Sequence, residues 1–267
     1  MIPDIFNYEF MQRAFLVAVL ISVIAPCIGV IIVLKRLSAV GDAASHSALA
    51  GVAFGLMIGI NPVVGAVIFA FLGVMSIELF RRIFGKYAEI STAVTLSAGV
   101  GLTALFSGFV KNAANFNSFM FGSIVAISDF EVYLTVGLCA VVITVSATLY
   151  RELYYITFDE EAAQIAGVPV KRINFIFMLI TAIAVSVASR TVGALMISSL
   201  MVIPVACSMI VARSYKQTFM YSIMFAFLFT VSGLFVSYYL DLRPGGSIVI
   251  IGVLVLIVTA VVRGNNK

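Results

Sequence analysis

The chain has no tryptophan, one histidine and little charge: Asp, Glu, Lys and Arg together make up 10% of its 267 residues. Ordinary soluble proteins carry about 25% charged residues, so this poverty excludes a soluble domain and leaves no basic face for nucleic acid. Cysteine is scarce as well. Cys27, Cys139 and Cys207 are widely spaced, each inside an apolar run, and read as small buried residues rather than as disulfide partners or a Cys-rich metal site. No Gly-x4-Gly-Lys-Ser/Thr phosphate loop occurs, so the chain holds no ATPase of its own, and any energy must come from a partner or a gradient. The first 13 residues carry Asp4, Glu9 and Arg13 without a basic n-region, so a cleaved signal peptide is not expected.

What is present is apolar. Hydrophobic residues make up 63% of the sequence and the mean hydropathy is +1.18, the composition of a polytopic membrane protein. The runs are long and continuous rather than short and alternating, so the expected fold class is all-α, with helices as the spanning elements. Runs of roughly 20 apolar residues lie near 14–34, 38–59, 62–80, 91–110, 131–150, 173–189, 192–212, 218–240 and 247–262. Nine spans are expected within one transmembrane domain covering 1–267. Arg190 interrupts the stretch 173–212, which leaves eight full spans and one broken span as the alternative.

Placing the N-terminus outside puts Lys35, Arg36, Arg81, Arg82, Lys86, Arg151, Lys171, Arg172, Arg213, Lys216, Arg263 and Lys267 on the cytoplasmic side. Arg13, Lys111, Arg190 and Arg243 are left outside or at that edge. The positive-inside rule therefore predicts an outer N-terminus and a cytoplasmic C-terminus.

The lone histidine, His46, follows Asp42 by four residues within Gly41-Asp-Ala-Ala-Ser-His-Ser-Ala-Leu-Ala-Gly51. On a helix that spacing places both side chains on one face, about 6 Å apart, where an imidazole nitrogen and a carboxylate oxygen can reach one cation. Counting from Arg36 at the cytoplasmic interface, a rise of about 1.5 Å per residue puts Asp42 roughly 9 Å and His46 roughly 15 Å into a core about 30 Å thick. An acid at such depth costs about 2.5–3.5 kcal/mol and usually marks an ion route. The plainer reading is that Asp42 caps a helix and His46 bonds to a neighbour. Beyond this pair, Gly51, Gly55 and Gly59 form a small-xxx-small stripe suited to close helix packing.

The long polar insertion runs from Arg151 to Arg172 and is cytoplasmic by the charge count; its loop covers about 152–172. Thr157 or Asp159 can cap a stub of about two turns, with Glu160 and Glu161 at the positive end of its dipole. Gly167 and Pro169 end it. Phe158, Ala162, Ile165 and Ala166 are expected on its apolar face and the acids on the other. Segment 111–129 is too short to span and return, so it is either a re-entrant element over the pathway or an outer loop. Glu78 is expected to pair with Arg81 or Arg82 at a helix end, Arg190 to reach toward the outer surface, and Asp241 to Gly246 to form an outer turn.

Phe158-Asp159-Glu160-Glu161-Ala162-Ala163 followed by Gly167 resembles the cytoplasmic coupling loop of ABC importer permeases. Together with Gly41-Asp42-x-x-Ser45-His46-x4-Gly51, Tyr8 to Ala14, Lys35-Arg36-Leu37-Ser38 and Leu200 to Pro204, it makes the chain similar, from end to end, to the transmembrane subunit of bacterial zinc/manganese/iron importers, the ABC-3 family. The resemblance implies a permease of the bacterial cytoplasmic membrane that forms a homodimer. It implies two separate ATPase subunits, docked on Phe158 to Ala163 and Gly167, and an extracellular solute-binding protein. No cofactor is expected beyond the transported divalent ion. Asp42 and His46 are its expected metal ligands, and two pairs in a symmetric dimer would supply four N/O donors suited to zinc. Zinc is the expected cargo on the likeness of Tyr8 to Ala14 and Phe54-Gly55, although imidazole plus carboxylate also suits manganese and iron. A proton-driven secondary transporter is the rival class. It leaves the capped cytoplasmic helix unexplained, and further intramembrane acids for a relay are absent. A membrane enzyme is weaker still, because Asp42, Ser45 and His46 are too local to act as a triad.

Overall fold

A computed structural model of the chain describes residues 8–85, 87–111, 113–122 and 127–264. Lys86, Lys267 and positions 112 and 123–126 of the segment 111–129 lie outside the described residues. The described residues form helices with no strand: α1 Glu9–Leu34, α2 Val40–Ile58, α3 Pro62–Phe84, α4 Ala88–Ser107, α5 Ala113–Phe121, α6 Asp129–Thr148, α7 Tyr150–Phe158, α8 Glu160–Ile165, α9 Val170–Ala188, α10 Ala194–Val211, α11 Tyr215–Tyr239 and α12 Pro244–Gly264. A π-helical turn, Ser189–Gly193, joins α9 to α10.

Local chemistry sets several of these boundaries. Asn61 caps α3 by accepting the Val63 amide at 2.9 Å, Pro62 opens the helix, and Arg81 and Arg82 fill its last turn, where a cation meets the negative end of the dipole. Ser128 and Glu131 form a reciprocal capping box at the start of α6. Gly59 closes α2 in the left-handed conformation, at φ 79°.

Helix α2 is the most enclosed element. It packs against α3 and α4 on one side and against α5, α9 and α10 elsewhere, while α1 packs against α6, α10 and α11. Gly51 is what lets α2 and α3 meet so closely. A Cβ there would stand 2.1 Å from the Gly65 carbonyl oxygen, far inside van der Waals contact.

Seven helices among the described residues are long and apolar enough to cross a membrane: Glu9–Leu34, Pro62–Phe84, Glu89–Ser107, Asp129–Thr148, Val170–Ala188, Tyr215–Tyr239 and Pro244–Arg263. The other two of the nine expected spans are helices as well, but do not meet that measure among the described residues: α2, where Asp42, Ser45, His46 and Ser47 dilute the apolar content, and α10, of which the stretch Met196–Val211 is described throughout. The break between α9 and α10 falls at the predicted interruption by Arg190. Its backbone cause is a π turn that ends on Gly193 at φ 100°.

Two connections carry more structure than expected. The segment 111–129 contains α5, whose Phe119 is 1% exposed and which packs against α2, α10 and the π turn. The polar insertion holds two helices, α7 and α8, rather than a single stub.

Candidate metal site

From Val40 to Ala53 every residue of α2 is buried except Asp42, which is exposed, and His46, which is partly exposed. The i, i+4 spacing therefore does bring the pair to one open face of an otherwise covered helix. Small residues achieve this covering: Gly41, Ala43, Ala44, Ser45, Ser47 and Ala48 are all buried against neighbours. Ser45 lies away from that face, 1% exposed, with its hydroxyl donating to the Gly41 carbonyl at 2.8 Å.

Helix α4 backs the histidine, a relation that the sequence reading missed. Thr103 donates to the His46 carbonyl at 3.2 Å and to the Gly99 carbonyl at 2.8 Å. A Cβ on Gly99 would lie 2.9 Å from the Ser47 amide nitrogen, so glycine there lets α4 lie directly on the His46 backbone. The run Ser97-Ala-Gly-Val-Gly101 was the available signal. Beyond this contact α4 is largely open: Ala93, Ser97, Gly101 and Leu105, spaced four apart, are all exposed. Beside the turn before α2 lies a cavity of about 560 Å³, lined by Arg36, Ser38, Ala39, Glu89, Thr92 and Leu96.

Among the described residues no group of three or more His, Cys, Asp or Glu side chains is placed to hold a metal. One chain thus presents two donors, an imidazole and a carboxylate, on a face open to further ligands. Such a pair suits exchange better than a closed four-ligand cage. The glycine stripe divides into different roles. Gly51 permits close approach to α3, Gly55 stands 3.2 Å (through a Cβ) from the Pro62 Cα, and Gly59 is the helix stop, with open space around it.

At the other predicted site, Asp159 caps α8 by accepting the Ala162 amide at 2.9 Å. Thr157, the alternative cap, instead lies within α7 and donates to the Leu153 carbonyl. The apolar residues of the stub face outward. Phe158 and Ile165 are 62% and 88% exposed, Ala162 and Ala166 are exposed, and the buried member is Ala163. The acids divide: Glu161 is exposed, whereas Glu160 turns inward, 3.4 Å from Lys35 Nζ and 3.6 Å from Arg81 Nη2. Gly167 ends the stub at φ 85°. Phe158 is braced by Tyr154, whose ring centroid is 4.9 Å away.

Burial lowers the Lys35 pKa from the usual lysine value, and the Glu160 carboxylate opposes that shift. Glu78 pairs with Arg81 at 3.1 Å, as expected. At the opposite end Arg190 pairs with Glu131 at 3.2 Å and lies over the Phe119 ring. Arg243 of the predicted outer turn lies 4.3 Å over Phe121.

Comparison with known proteins places the chain in a lineage. The ABC 3 transport family matches residues 7–263. The chain is 34% identical over 252 residues to a probable metal transport system membrane protein of Treponema pallidum, covering 94% of each chain. It is 29% identical to the manganese import system permease protein ScaB of Streptococcus parasanguinis, over 91% of this chain and 87% of that one. In structure it is similar to PsaBC from Streptococcus pneumoniae, solved in complex with Fab: the TM-score is 0.86 at 26% identity, covering 97% of this chain and 95% of the other.

Proposed function

The chain belongs to the ABC 3 transport family, as a membrane-embedded importer permease for metal ions and not itself an enzyme, and on that premise we propose that it passes a divalent cation along the open face of α2, with Asp42 and His46 as transient ligands. The observation that carries this reading is the burial pattern of α2. A helix covered from Val40 to Ala53 except at one acid and one imidazole keeps its polar atoms where a cation in a water-lined path can use them.

Two donors per chain leave a divalent ion short of ligands. We assign the remainder to water and to the same pair on a second copy, which meets the first across the exposed face of α4. Ala93, Ser97 and Gly101 there suit close helix approach. The N-terminus is placed outside and the C-terminus in the cytoplasm, on the charge asymmetry of the connections. In that orientation Phe158, Asp159, Glu161, Ala162, Ile165 and Gly167 form the cytoplasmic surface for a separate ATPase subunit, and an extracellular solute-binding protein delivers the ion. The single domain spans 1–267.

For cargo, the sequence likeness favours zinc, whereas the relatives of known name favour manganese: the streptococcal relative is a manganese import permease. One imidazole with one carboxylate serves either ion, so the choice rests on measurement. Vesicles containing the permease, its ATPase and its binding protein should take up one of zinc, manganese or iron only with ATP, and His46→Ala should abolish that uptake. Uptake driven by a proton gradient without ATP would overturn the reading. Retained uptake in His46→Ala would remove α2 as the route.

A further inference from the structure

Glu160 is the first residue of α8 and yet faces into the protein. Its Oε2 lies 3.4 Å from Lys35 Nζ and 3.6 Å from Arg81 Nη2. Its Oε1 accepts from Asn174 Nδ2 at 2.9 Å. Lys35 in turn donates to Asn174 Oδ1 at 3.3 Å, and Arg81 Nη1 donates to Glu78 Oε2 at 3.1 Å. Four elements are joined: the end of α1, the last turn of α3, the start of α8 and the body of α9. The side chains of Lys35, Glu160 and Arg81 are 11%, 33% and 24% exposed.

An ion network so far withdrawn from water contributes little net stability, because desolvation offsets most of its attraction; its better attested use is to fix register between elements. A second tether connects the same parts. Ala163 of α8 is buried in an apolar cluster with Ile31 of α1, Leu153 and Ile156 of α7, and Val170 and Ile173 of α9. Charge and packing thus both bind α8 to the last turn of α1.

The turn from Lys35 to α2 is short and stiff. Arg36 sits at φ 59°, a left-handed conformation that residues with a Cβ seldom adopt. The turn is held by the Leu37 amide on the Ile32 carbonyl at 2.9 Å and the Val40 amide on the Leu37 carbonyl at 2.9 Å. A displacement of Lys35 is therefore passed on to the start of α2, and Asp42 lies within the first turn of that helix.

We propose that Glu160 is a positioning residue which carries movement of α8 through Lys35 to α2, and is not a contact for the ATPase. This rests on the reading of α8 as the ATPase-docking element. Its neighbour Glu161 and the bare Ile165 are left to make that contact, so adjacent acids on one stub have opposite duties.

The test counts metal ions transported per ATP hydrolysed, together with the Kd for the ATPase, in the reconstituted transporter. Glu160→Gln keeps the side-chain volume and an acceptor for Asn174 while removing the charge. Lys35→Met removes the other half, and the double variant leaves no unpaired charge between them. The expected result is a fall of about tenfold in ions per ATP in each single variant, with the double variant no worse than either and ATPase Kd unchanged throughout. Weakened ATPase binding in Glu160→Gln but not in Lys35→Met would overturn the proposal, and so would a wild-type ratio in both or additive losses in the double. Ile165→Asp separates the two levels: if it too leaves ATPase binding intact, the docking assignment of α8 fails, whatever Glu160 does.

Discussion

Helices α2 and α8 are the two stretches that carry the chemistry-bearing residues, and their surroundings are opposite. Helix α2 is wrapped by five neighbours and shows only Asp42 and His46 over its first fourteen residues. Helix α8 buries Ala163, half-buries Glu160 and leaves its apolar Ile165 88% exposed. In the first, polar groups stand out from an apolar wrapping; in the second, apolar groups stand out from a polar loop. On the proposed function, each exception marks the place where the chain is incomplete alone: for a cation in one case, for a protein surface in the other.

The contrast is broken most severely at Gly51. Gly51→Leu must push α2 away from the Gly65 backbone, 2.1 Å from its first side-chain carbon, and is expected to abolish folded protein, read as loss of the monodisperse peak in detergent. Overpacking of this kind commonly costs 1 to 3 kcal/mol or more, and backbone in the way leaves no cheap escape. A normal yield would mean that α2 is not held as described. Next, Asp42→Ala and His46→Ala are expected to lower uptake by more than about 100-fold with unchanged melting temperature and ATPase association, since neither side chain is part of the packed core. A comparable loss of stability would make them structural.

Smaller effects sharpen the other side. Ile165→Asp or Glu161→Lys should weaken ATPase association by about tenfold, roughly 1.4 kcal/mol, while metal binding is kept; titration of the purified subunit checks both. The smallest effect concerns Lys35. Its folded-state pKa is lowered by burial, so the cost of carrying its charge is fully present below that lowered pKa. The cost is relieved as pH rises through it toward the unfolded value of about 10.4. Stability should therefore rise slightly over that alkaline window in the native chain relative to Lys35→Met. An identical pH profile in the two would remove Lys35 from the buried network.

Much of this was legible in the sequence because hydropathy and spacing are one-dimensional signals. The apolar runs found the helices, i, i+4 placed Asp42 and His46 on one face, and Asp159 with Gly167 bounded α8. The count of spans differs at α2, which reads as one apolar run although Asp42, His46 and two serines lower its mean hydropathy; neighbours enclose the serines and leave Asp42 and His46 at the open face. Which side of α8 faces in was not legible, because a six-residue helix has no periodicity to read and the inward turn of Glu160 is decided by Lys35, Arg81 and Asn174, remote in sequence. The seat of His46 on Gly99 and Thr103 escaped for the same reason: it belongs to a helix pair, and only its glycines hinted at it.

Cys27, Cys139 and Cys207 are the chain's three thiols, and all are buried. The folded surface is thus blank to a maleimide without any engineering. A single Ser97→Cys exchange on the open face of α4 would give one addressable sulfur per chain, and if two copies pair there as proposed, spin labels attached to it would turn the distance between them into a dipolar spectrum in intact membranes.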